Sequence, residues 1–184
     1  VWSPSVSEMQ KETDTDNIYI SYSSPRTNSQ AYIYNLKTKE KKFVKEQEVL
    51  DKNYSPKNYI TERVECKSHD GKLIPLTITR HKDTKIDGTA NVLLYGYGSY
   101  GNSLSFGFSN TRLSLLNRNI IWCDASIRGG RERGEVWHEE GKMLNKKNTF
   151  EDYISAAKFL IEKKYTYLGG VVGYGGSAGG LLLG

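Results

Sequence analysis

A serine near one end of the chain has the neighbours that a catalytic nucleophile needs. Ser177 lies in the segment GGSAGG, residues 175–180, between an apolar stretch and a run of leucines. Such small residues fit a sharp strand–turn–helix element, in which the backbone passes too close to its neighbours for larger side chains. On this turn the hydroxyl of Ser177 projects outward, and the backbone amide of Ala178 faces the oxyanion of a reacting acyl group. The pattern therefore predicts nucleophilic acyl transfer, with a Gly/Ser-rich loop after an ordinary strand as the alternative.

Two upstream segments could complete such a site. The first is YGYGSYG, residues 95–101, which follows an apolar run. Its tyrosine hydroxyls are hydrogen-bond donors and its glycines let a loop approach a substrate, with a space-filling aromatic turn as the alternative. The second is RGGRERG, residues 128–134, followed by Trp137-His138 and by NKKNTF at residues 145–150. Its paired glycines permit positive φ angles in a loop at the end of a strand.

The first part of the chain predicts an antiparallel meander. Alternation with period two marks strands at residues 17–23 and 31–34, and the chain returns as a third strand at 42–44, with turn-forming residues between them. So few strands cannot bury a core alone. We therefore expect this part to be one blade of a larger β structure.

From residue 58 onward the pattern changes to alternating strands and helices. Strands at 59–67 and 72–81 flank His69-Asp70-Gly71, whose Asp-Gly pair is a hairpin signal. A helix is predicted at 110–118, another at 149–164 with a capping box of Thr149 and Asp152, and a further helix from residue 181. Strands covered on both faces are predicted from continuous apolar runs at 91–95, 120–123 and 169–174. This order predicts a mostly parallel α/β sheet.

The composition indicates a globular chain and disfavours membrane, metal and nucleic-acid functions. Of the 184 residues, 37% are hydrophobic and 26% are charged, and no apolar run is long enough to cross a membrane. The net charge of +5 comes from lysines mixed with glutamates, as at residues 37–48, which is typical of a solvated surface rather than a nucleic-acid site. Cys66 and Cys123 form no metal-ligand spacing. We therefore predict no metal, no cofactor and a reducing, cytoplasmic setting.

The segments YGYGSYG, IRGGRERG, NKKNTFEDY and GGSAGG resemble the peptidase domain of the prolyl oligopeptidase family, and YGYGSYG with KKNTF is most similar to oligopeptidase B. The resemblance covers the whole chain and implies the α/β fold class. Residues 58–184 would be the N-terminal half of an α/β-hydrolase domain, truncated after the nucleophile elbow. Residues 1–57 would be the last blade of a β-propeller and the linker that follows it.

The resemblance also implies roles for the residues at matching positions. Ser177 matches the nucleophile, Ala178 the residue whose amide lines the oxyanion hole, and Tyr97 the oxyanion tyrosine. Tyr100 matches an aromatic side chain near the substrate residue that precedes the cleaved bond. Arg128, Gly129 and Gly130 match a loop that shapes the site, and the role implied for them is mainly structural. The implied reaction is hydrolysis of short peptides by acyl transfer.

The resemblance also implies cleavage after basic residues, but one segment differs from the pattern of members with that specificity. Members of the family that favour basic residues often carry acids a few positions after YGSYG. Here residues 102–108 read NSLSFGF and contain no acid. The sequence therefore predicts basic specificity from the resemblance and lacks its usual local signal.

The 184-residue sequence shows no histidine after Ser177, where the family has the base that such a serine needs. A serine hydroxyl requires a base and the base an orienting carboxylate, and in α/β-hydrolases both follow the serine. His69, His81 and His138 all precede Ser177, and each is interpreted as a surface or locally bonded histidine. We therefore expect this chain to be part of a longer or split peptidase and to be inactive alone. A second chain that carries the Asp and His is one partner that this expectation allows. A pseudo-enzyme remnant is the alternative; an esterase or lipase is disfavoured, because its oxyanion loop is usually of the HGGG type.

Overall fold

Two β-sheets, one after the other along the chain, make up the computed structural model, which describes residues 3–7 and 15–184. The first sheet has antiparallel strands in chain order: β1 (Ser3–Ser7), β2 (Asn17–Ser24), β3 (Thr27–Asn35) and β4 (Lys41–Glu46). The predicted meander is confirmed, and β1 is an additional strand that the alternation pattern did not indicate. Residues 1, 2 and 8–14 of the predicted unit 1–57 lie outside the described residues.

The first sheet buries few side chains and is attached to the linker that follows it. Most side chains of β2 and β3 are half-buried, and those of β4 are exposed. In the linker, the Tyr54 hydroxyl accepts a hydrogen bond from the Asn28 amide and donates one to the Arg26 carbonyl, both at 3.0 Å. The ring of Tyr54 stacks on Tyr59 with 6.1 Å between centroids. The linker therefore contacts both sheets.

The second sheet has the strand order β5-β6-β8-β7-β9. β5 and β6 form the predicted hairpin, β6 is antiparallel to β8, and β7 is parallel to both β8 and β9. Within this sheet only β6 is reversed, so the predicted, mostly parallel arrangement is confirmed. The strands are β5 (Tyr59–Lys67), β6 (Leu73–His81), β7 (Val92–Gly96), β8 (Ile121–Ala125) and β9 (Val171–Tyr174).

Helices cover both faces of the second sheet. On one face, α1 (Asn110–Leu116) packs Leu113 and Leu116 against Tyr59. On the other, α3 (Lys147–Glu162) contributes Ala156 and Leu160 to the main core. A shorter helix, α2 (Glu135–Glu139), lies between β8 and α3 in the chain. The strand residues of the main core are fully buried and include Ile74, Leu76, Ile78, Val92, Leu94 and Ile121.

The predicted capping box at the start of α3 is wrong. The helix begins at Lys147, so Thr149 and Asp152 lie inside its first turns. Both side chains have partners elsewhere in the fold. The Thr149 hydroxyl lies 2.8 Å from the Arg128 carbonyl and 3.1 Å from the Gly141 carbonyl, and Asp152 accepts hydrogen bonds from Arg128. Tertiary contacts, rather than a local cap, therefore fix the beginning of this helix.

Candidate active site

Ser177 lies on a sharp turn directly after β9. Its φ angle is 53°, a left-handed conformation that costs a non-glycine residue about 1–3 kcal/mol, and its side chain is exposed. Two nearby positions require glycine because there is no room for a Cβ atom. A Cβ on Gly175 would lie 2.5 Å from the Gly179 carbonyl oxygen, and one on Gly179 would lie 2.7 Å from the Gly96 carbonyl oxygen. The turn thus holds a strained, outward-facing serine.

The chain after Ser177 differs from the α-helix expected from residue 181. It forms a 3₁₀ turn over Ser177–Gly179, followed by further turns. The Ala178 amide is not one of the donors that form these turns, so it stays available beside the serine. The donors are the amides of Gly179, Gly180, Leu182 and Leu183, each bonded to the carbonyl three residues earlier.

Tyr97 lies beside this turn because β7 and β9 are parallel neighbours whose carboxyl ends meet at one edge of the sheet. A Cβ on Gly179 would lie 3.5 Å from the Cα of Tyr97 and 3.6 Å from the Cδ2 of its ring. The Tyr97 side chain is half-buried. The two predicted oxyanion donors, the Ala178 amide and the Tyr97 hydroxyl, are therefore carried by segments in direct contact.

Tyr100 stands at the exposed end of the same loop. Its φ angle is 55° and its side chain is 75% exposed. It lines a cavity of about 540 Å³ together with His138 and Leu181. A large exposed ring at an open cavity can contact a ligand, whereas it contributes little to a core.

The Arg128 side chain is not among those that line this cavity and is buried, 1% exposed. It donates to both carboxylate oxygens of Asp152, at 2.9 and 2.6 Å, and to Asp70 at 2.6 Å. Asp152 also accepts the Ser68 hydroxyl at 2.6 Å. Burial alone would lower the pKa of Arg128, but the hydrogen bonds to Asp152 and Asp70 raise it. Arg128 therefore ties the loop after β8 to α3 and to the β5–β6 hairpin.

The paired glycines after Arg128 hold the Tyr97 loop. Gly129 has a φ angle of 102°, and a Cβ there would overlap the carbonyl oxygen of Gly98. The Gly129 carbonyl accepts hydrogen bonds from the Gly101 amide and from Nδ1 of His138, both at 2.9 Å. A Cβ on Gly130 would overlap the carboxylate of Glu132. Glycine is therefore required at position 129 by its φ angle and by the Gly98 backbone, whereas at position 130 the Glu132 side chain would have to move.

Each of the three histidines has a local partner in the structure. Nδ1 of His69 lies 3.2 Å from the Ser68 hydroxyl, Nδ1 of His81 accepts the Asp83 amide at 3.3 Å, and His138 bonds the Gly129 carbonyl. In the part of the chain that the structure describes, no group of three or more His, Cys, Asp or Glu residues could hold a metal ion.

Sequence patterns did not single out Asp124, which lies close to Tyr97. This residue of β8 is 2% exposed and lines a cavity of about 440 Å³ with Tyr97 and residues 102–105. Burial raises the pKa of Asp124, while the positive charge of Arg112 opposes that shift. Its Oδ1 accepts the indole N–H of Trp122 at 2.8 Å. The signal available in the sequence was an acid inside the otherwise apolar strand IWCDA.

Lys146 was also not singled out. Its ammonium group bonds the loop between Tyr97 and Tyr100. The sequence shows two adjacent lysines, Lys146 and Lys147, and a local pattern cannot tell which of them faces inward.

Comparisons of sequence place these features among known proteins. The profile described as prolyl oligopeptidase family matches residues 106–184. Dipeptidyl aminopeptidase BI of Pseudoxanthomonas mexicana is 44% identical over 174 residues, which cover 94% of this chain and 24% of that protein. Protease 2 of Moraxella lacunata is 38% identical over 175 residues, which cover 95% of this chain and 25% of that protein. The chain thus spans about a quarter of the length of these curated relatives.

Solved structures show the same likeness. Oligopeptidase B from Trypanosoma brucei, with covalently bound antipain in its closed form, matches with a TM-score of 0.92 and 33% identity, over 100% of this chain and 26% of that one. Oligopeptidase B from Leishmania major matches with a TM-score of 0.87 and 36% identity, over 98% of this chain and 25% of that one. These neighbours combine a β-propeller with an α/β-hydrolase domain, so the predicted fold class is confirmed.

Proposed function

The chain belongs to the prolyl oligopeptidase family of serine peptidases, and from this membership we propose that the whole protein is an oligopeptidase that hydrolyses short peptides through Ser177. One observation carries the proposal: the turn with Ser177, at a φ angle of 53°, packs against the loop of Tyr97. A strained serine at the carboxyl edge of a parallel sheet, next to a hydrogen-bond donor, supports acyl transfer.

In the proposed reaction the hydroxyl oxygen of Ser177 attacks the carbonyl carbon of a peptide bond, and its proton passes to a histidine base. The oxyanion accepts hydrogen bonds from the Ala178 amide and the Tyr97 hydroxyl. The C–N bond then breaks, the amine leaves with the proton, and water hydrolyses the acyl-enzyme. Because the oxyanion donors act mainly in the transition state, Tyr97 contributes more to kcat than to substrate binding.

The base and its carboxylate, in this proposal, come from a part of the protein outside this chain or from a second chain. The open edge of β9 supports that source. Val172 and Tyr174 are 58% and 51% exposed, and β9 pairs with β7 at the edge of the described sheet. Such an edge leaves N–H and C=O groups that can pair with a further strand. The 184-residue chain alone is then inactive, whether it is part of a longer peptidase, half of a split peptidase or a pseudo-enzyme remnant.

Cleavage after basic residues is the specificity that we propose. Residues 102–108 contain no acid, and Asp124 shares the cavity lined by residues 102–105 and Tyr97 with the positive charge of Arg112. The support for the proposal is therefore the likeness to oligopeptidase B. The exposed ring of Tyr100 offers a surface for the cationic side chain of Arg or Lys.

Short peptides, and neither nucleic acids nor membranes, are the proposed partners. The mixed charges of residues 37–48 support the exclusion of nucleic acids. Among the described helices, none has the length and apolar character to cross a membrane. The cytoplasm is the proposed compartment, supported by the free, buried thiols of Cys66 and Cys123.

A hybrid enzyme tests the proposed function. In the hybrid, this chain replaces the matched quarter of Moraxella lacunata protease 2, and Ser177→Ala is the control. We expect Ser177-dependent turnover of chromogenic peptides, faster after Arg or Lys than after Pro. A folded hybrid without such turnover contradicts the role of Ser177, and equal or faster cleavage after Pro contradicts the specificity. The 184-residue chain alone should show no Ser177-dependent turnover; a rate near one per second would overturn its inactivity.

A further inference from the structure

A lysine holds the loop that carries Tyr97. Lys146 Nζ donates to the Gly98 carbonyl at 2.6 Å and to the Ser99 hydroxyl at 2.8 Å. These two acceptors are the residues between Tyr97 and Tyr100, the two site residues of this loop. Lys146 therefore contacts the loop midway between its two functional side chains.

Close packing surrounds the Cα of Gly98, and the backbone of Gly129 lies against its carbonyl oxygen. Gly98 has a φ angle of 60°, and a Cβ there would lie 2.5 Å from Cγ2 of Thr149 and 2.8 Å from Cγ1 of Ile127. The backbone of Gly129 abuts the carbonyl oxygen so closely that a Cβ on Gly129 would overlap it. Lys146 thus supplies the polar partner of a carbonyl whose position is otherwise set by packing.

The Lys146 ammonium is directed at this loop and not at a carboxylate. Lys72 and Lys142 form salt bridges with glutamates, whereas Lys146 forms none within the described part of the chain. Burial lowers the pKa of Lys146, because removal from water disfavours the charged form. A partly desolvated cation makes stronger hydrogen bonds to dipoles than a solvated one. The contact therefore restrains the loop more than a surface lysine would.

We propose that Lys146 is a positioning residue, which sets the orientation of Tyr97 toward the Ser177 turn by fixing the Gly98 carbonyl and the Ser99 hydroxyl. This role rests on the proposed function, in which Tyr97 donates a hydrogen bond to the oxyanion. Lys146 acts through the loop and not on the reacting atoms. A displacement of about 1 Å in such a donor can slow a reaction about 100-fold.

Variants of the hybrid enzyme test the proposal. Lys146→Met removes the contact, Lys146→Arg keeps the charge, and Lys147→Met is the matched control, because Lys147 is exposed on the first turn of α3. Lys146→Met is expected to lower kcat about ten- to a hundredfold with a change in KM below about twofold. Lys146→Arg should recover part of that loss, and Lys147→Met should match the unaltered hybrid. Amide hydrogen exchange at residues 97–101 should become faster in Lys146→Met and stay unchanged in Lys147→Met.

Three results would overturn the role. The first is the same kcat in Lys146→Met and Lys147→Met, and the second is unchanged amide exchange at residues 97–101. The third is a fall in kcat matched by an equal rise in KM, together with a lower Tm. If Lys146→Met folds poorly, Lys146→Gln is judged by the same criteria. A folded, unaltered hybrid without Ser177-dependent turnover defeats the proposed function itself and the catalytic part of this role. The exchange data then still decide whether Lys146 holds the loop: faster exchange supports it and unchanged exchange refutes it.

Discussion

Ser177 and Tyr100 both have left-handed backbone conformations, with φ angles of 53° and 55°. The left-handed conformation is unfavourable for both residues, because it costs about 1–3 kcal/mol relative to an ordinary backbone conformation. The surrounding contacts keep the strain at the serine: the Gly175 and Gly179 backbones fit against the Gly96 carbonyl with no space for a Cβ. Strain retained by tight packing at an exposed serine is the residue-level mark of this site.

Removing the hydroxyl of Tyr97 should slow acylation. In the hybrid enzyme, Tyr97→Phe is expected to lower kcat about ten- to a thousandfold, because one oxyanion donor contributes a few kcal/mol in the transition state. KM should change little. Steady-state kinetics measure both, and Tyr95→Phe in the same segment is the matched control. Equal losses in kcat and in binding would instead identify Tyr97 as a substrate-binding or packing residue.

Adding a methyl group at Gly129 should destabilise the fold strongly. A Cβ there overlaps the Gly98 carbonyl oxygen, and the φ angle of 102° is unfavourable for alanine. We expect Gly129→Ala to lower the free energy of unfolding by at least about 3 kcal/mol. Gly134→Ala, at a φ angle of 87° with open space around the Cβ, should cost less, about 1–3 kcal/mol. Urea denaturation of the hybrid measures both, and equal losses would show that strain alone, without the overlap, sets the cost.

At the scale of elements, the buried Arg128 joins a loop and a turn of the second sheet to the helix α3. Arg128 follows β8, Asp152 belongs to α3, and Asp70 lies in the turn between β5 and β6. Removing one partner of a buried pair leaves the other charge without compensation. The hairpin, the loop that abuts Tyr97 and the main helix are therefore positioned together.

The Asp70–Arg128 contact should be sensitive to acid. Burial alone would raise the pKa of Asp70, but hydrogen bonds from the Arg128 side chain and the Lys72 amide bring it below 3.8. A lowered pKa in the folded state stabilises the fold above pH 3.8, and that contribution is lost as the pH falls through the folded value. In the hybrid, Asp70→Asn should lower the free energy of unfolding at pH 6, with the difference shrinking toward zero below pH 3.8.

Chemical denaturation across this pH range measures the effect of Asp70→Asn. Glu151→Gln, at an exposed position of α3, is the control and should show no such dependence. A difference between Asp70→Asn and the unaltered protein that widens as the pH falls would contradict the assigned direction.

Elements with local signals could be predicted from the sequence, and those set by tertiary contacts could not. β5 and β6 lie within one residue of their predicted bounds, because alternation and the Asp-Gly turn are local. The start of α3 was misplaced, since Thr149 and Asp152 bond to Arg128 rather than to their own helix end. Likewise Ser177 was found from its glycines, whereas Lys146 and Lys147 differ only in what the fold places beside them.

At the scale of the whole molecule, exposed apolar side chains are spread over the described chain, and four of them lie on β9 and in the turns after Ser177. Val172, Tyr174, Leu181 and Leu183 are 58%, 51%, 66% and 40% exposed. The side chains of β4, in the first sheet, are exposed as well. Most of those of β4 are charged, whereas the apolar side chains of β9 and of the turns after Ser177 form the kind of surface that binds further protein.

The 184-residue chain by itself should therefore be poorly folded and should self-associate. Each exposed leucine forgoes about 1.5–3 kcal/mol of burial, and a typical domain has only about 5–15 kcal/mol of total stability. Size-exclusion chromatography should show oligomers, and thermal unfolding followed by circular dichroism should be broad. A monodisperse monomer with a cooperative transition would show that this part of the domain is self-sufficient.

The linker tyrosine gives the two sheets a mechanical coupling. The Tyr54 hydroxyl bonds Asn28 and Arg26 of the first sheet and its adjoining turn, its ring stacks on Tyr59, and the Tyr59 hydroxyl donates to Asn117 at the end of α1 at 2.7 Å. Any rotation of the first sheet about the linker must break two hydrogen bonds or separate the two rings. The connection is therefore a joint held at several points, from the first sheet through Tyr54 and Tyr59 to the end of α1, instead of a free tether.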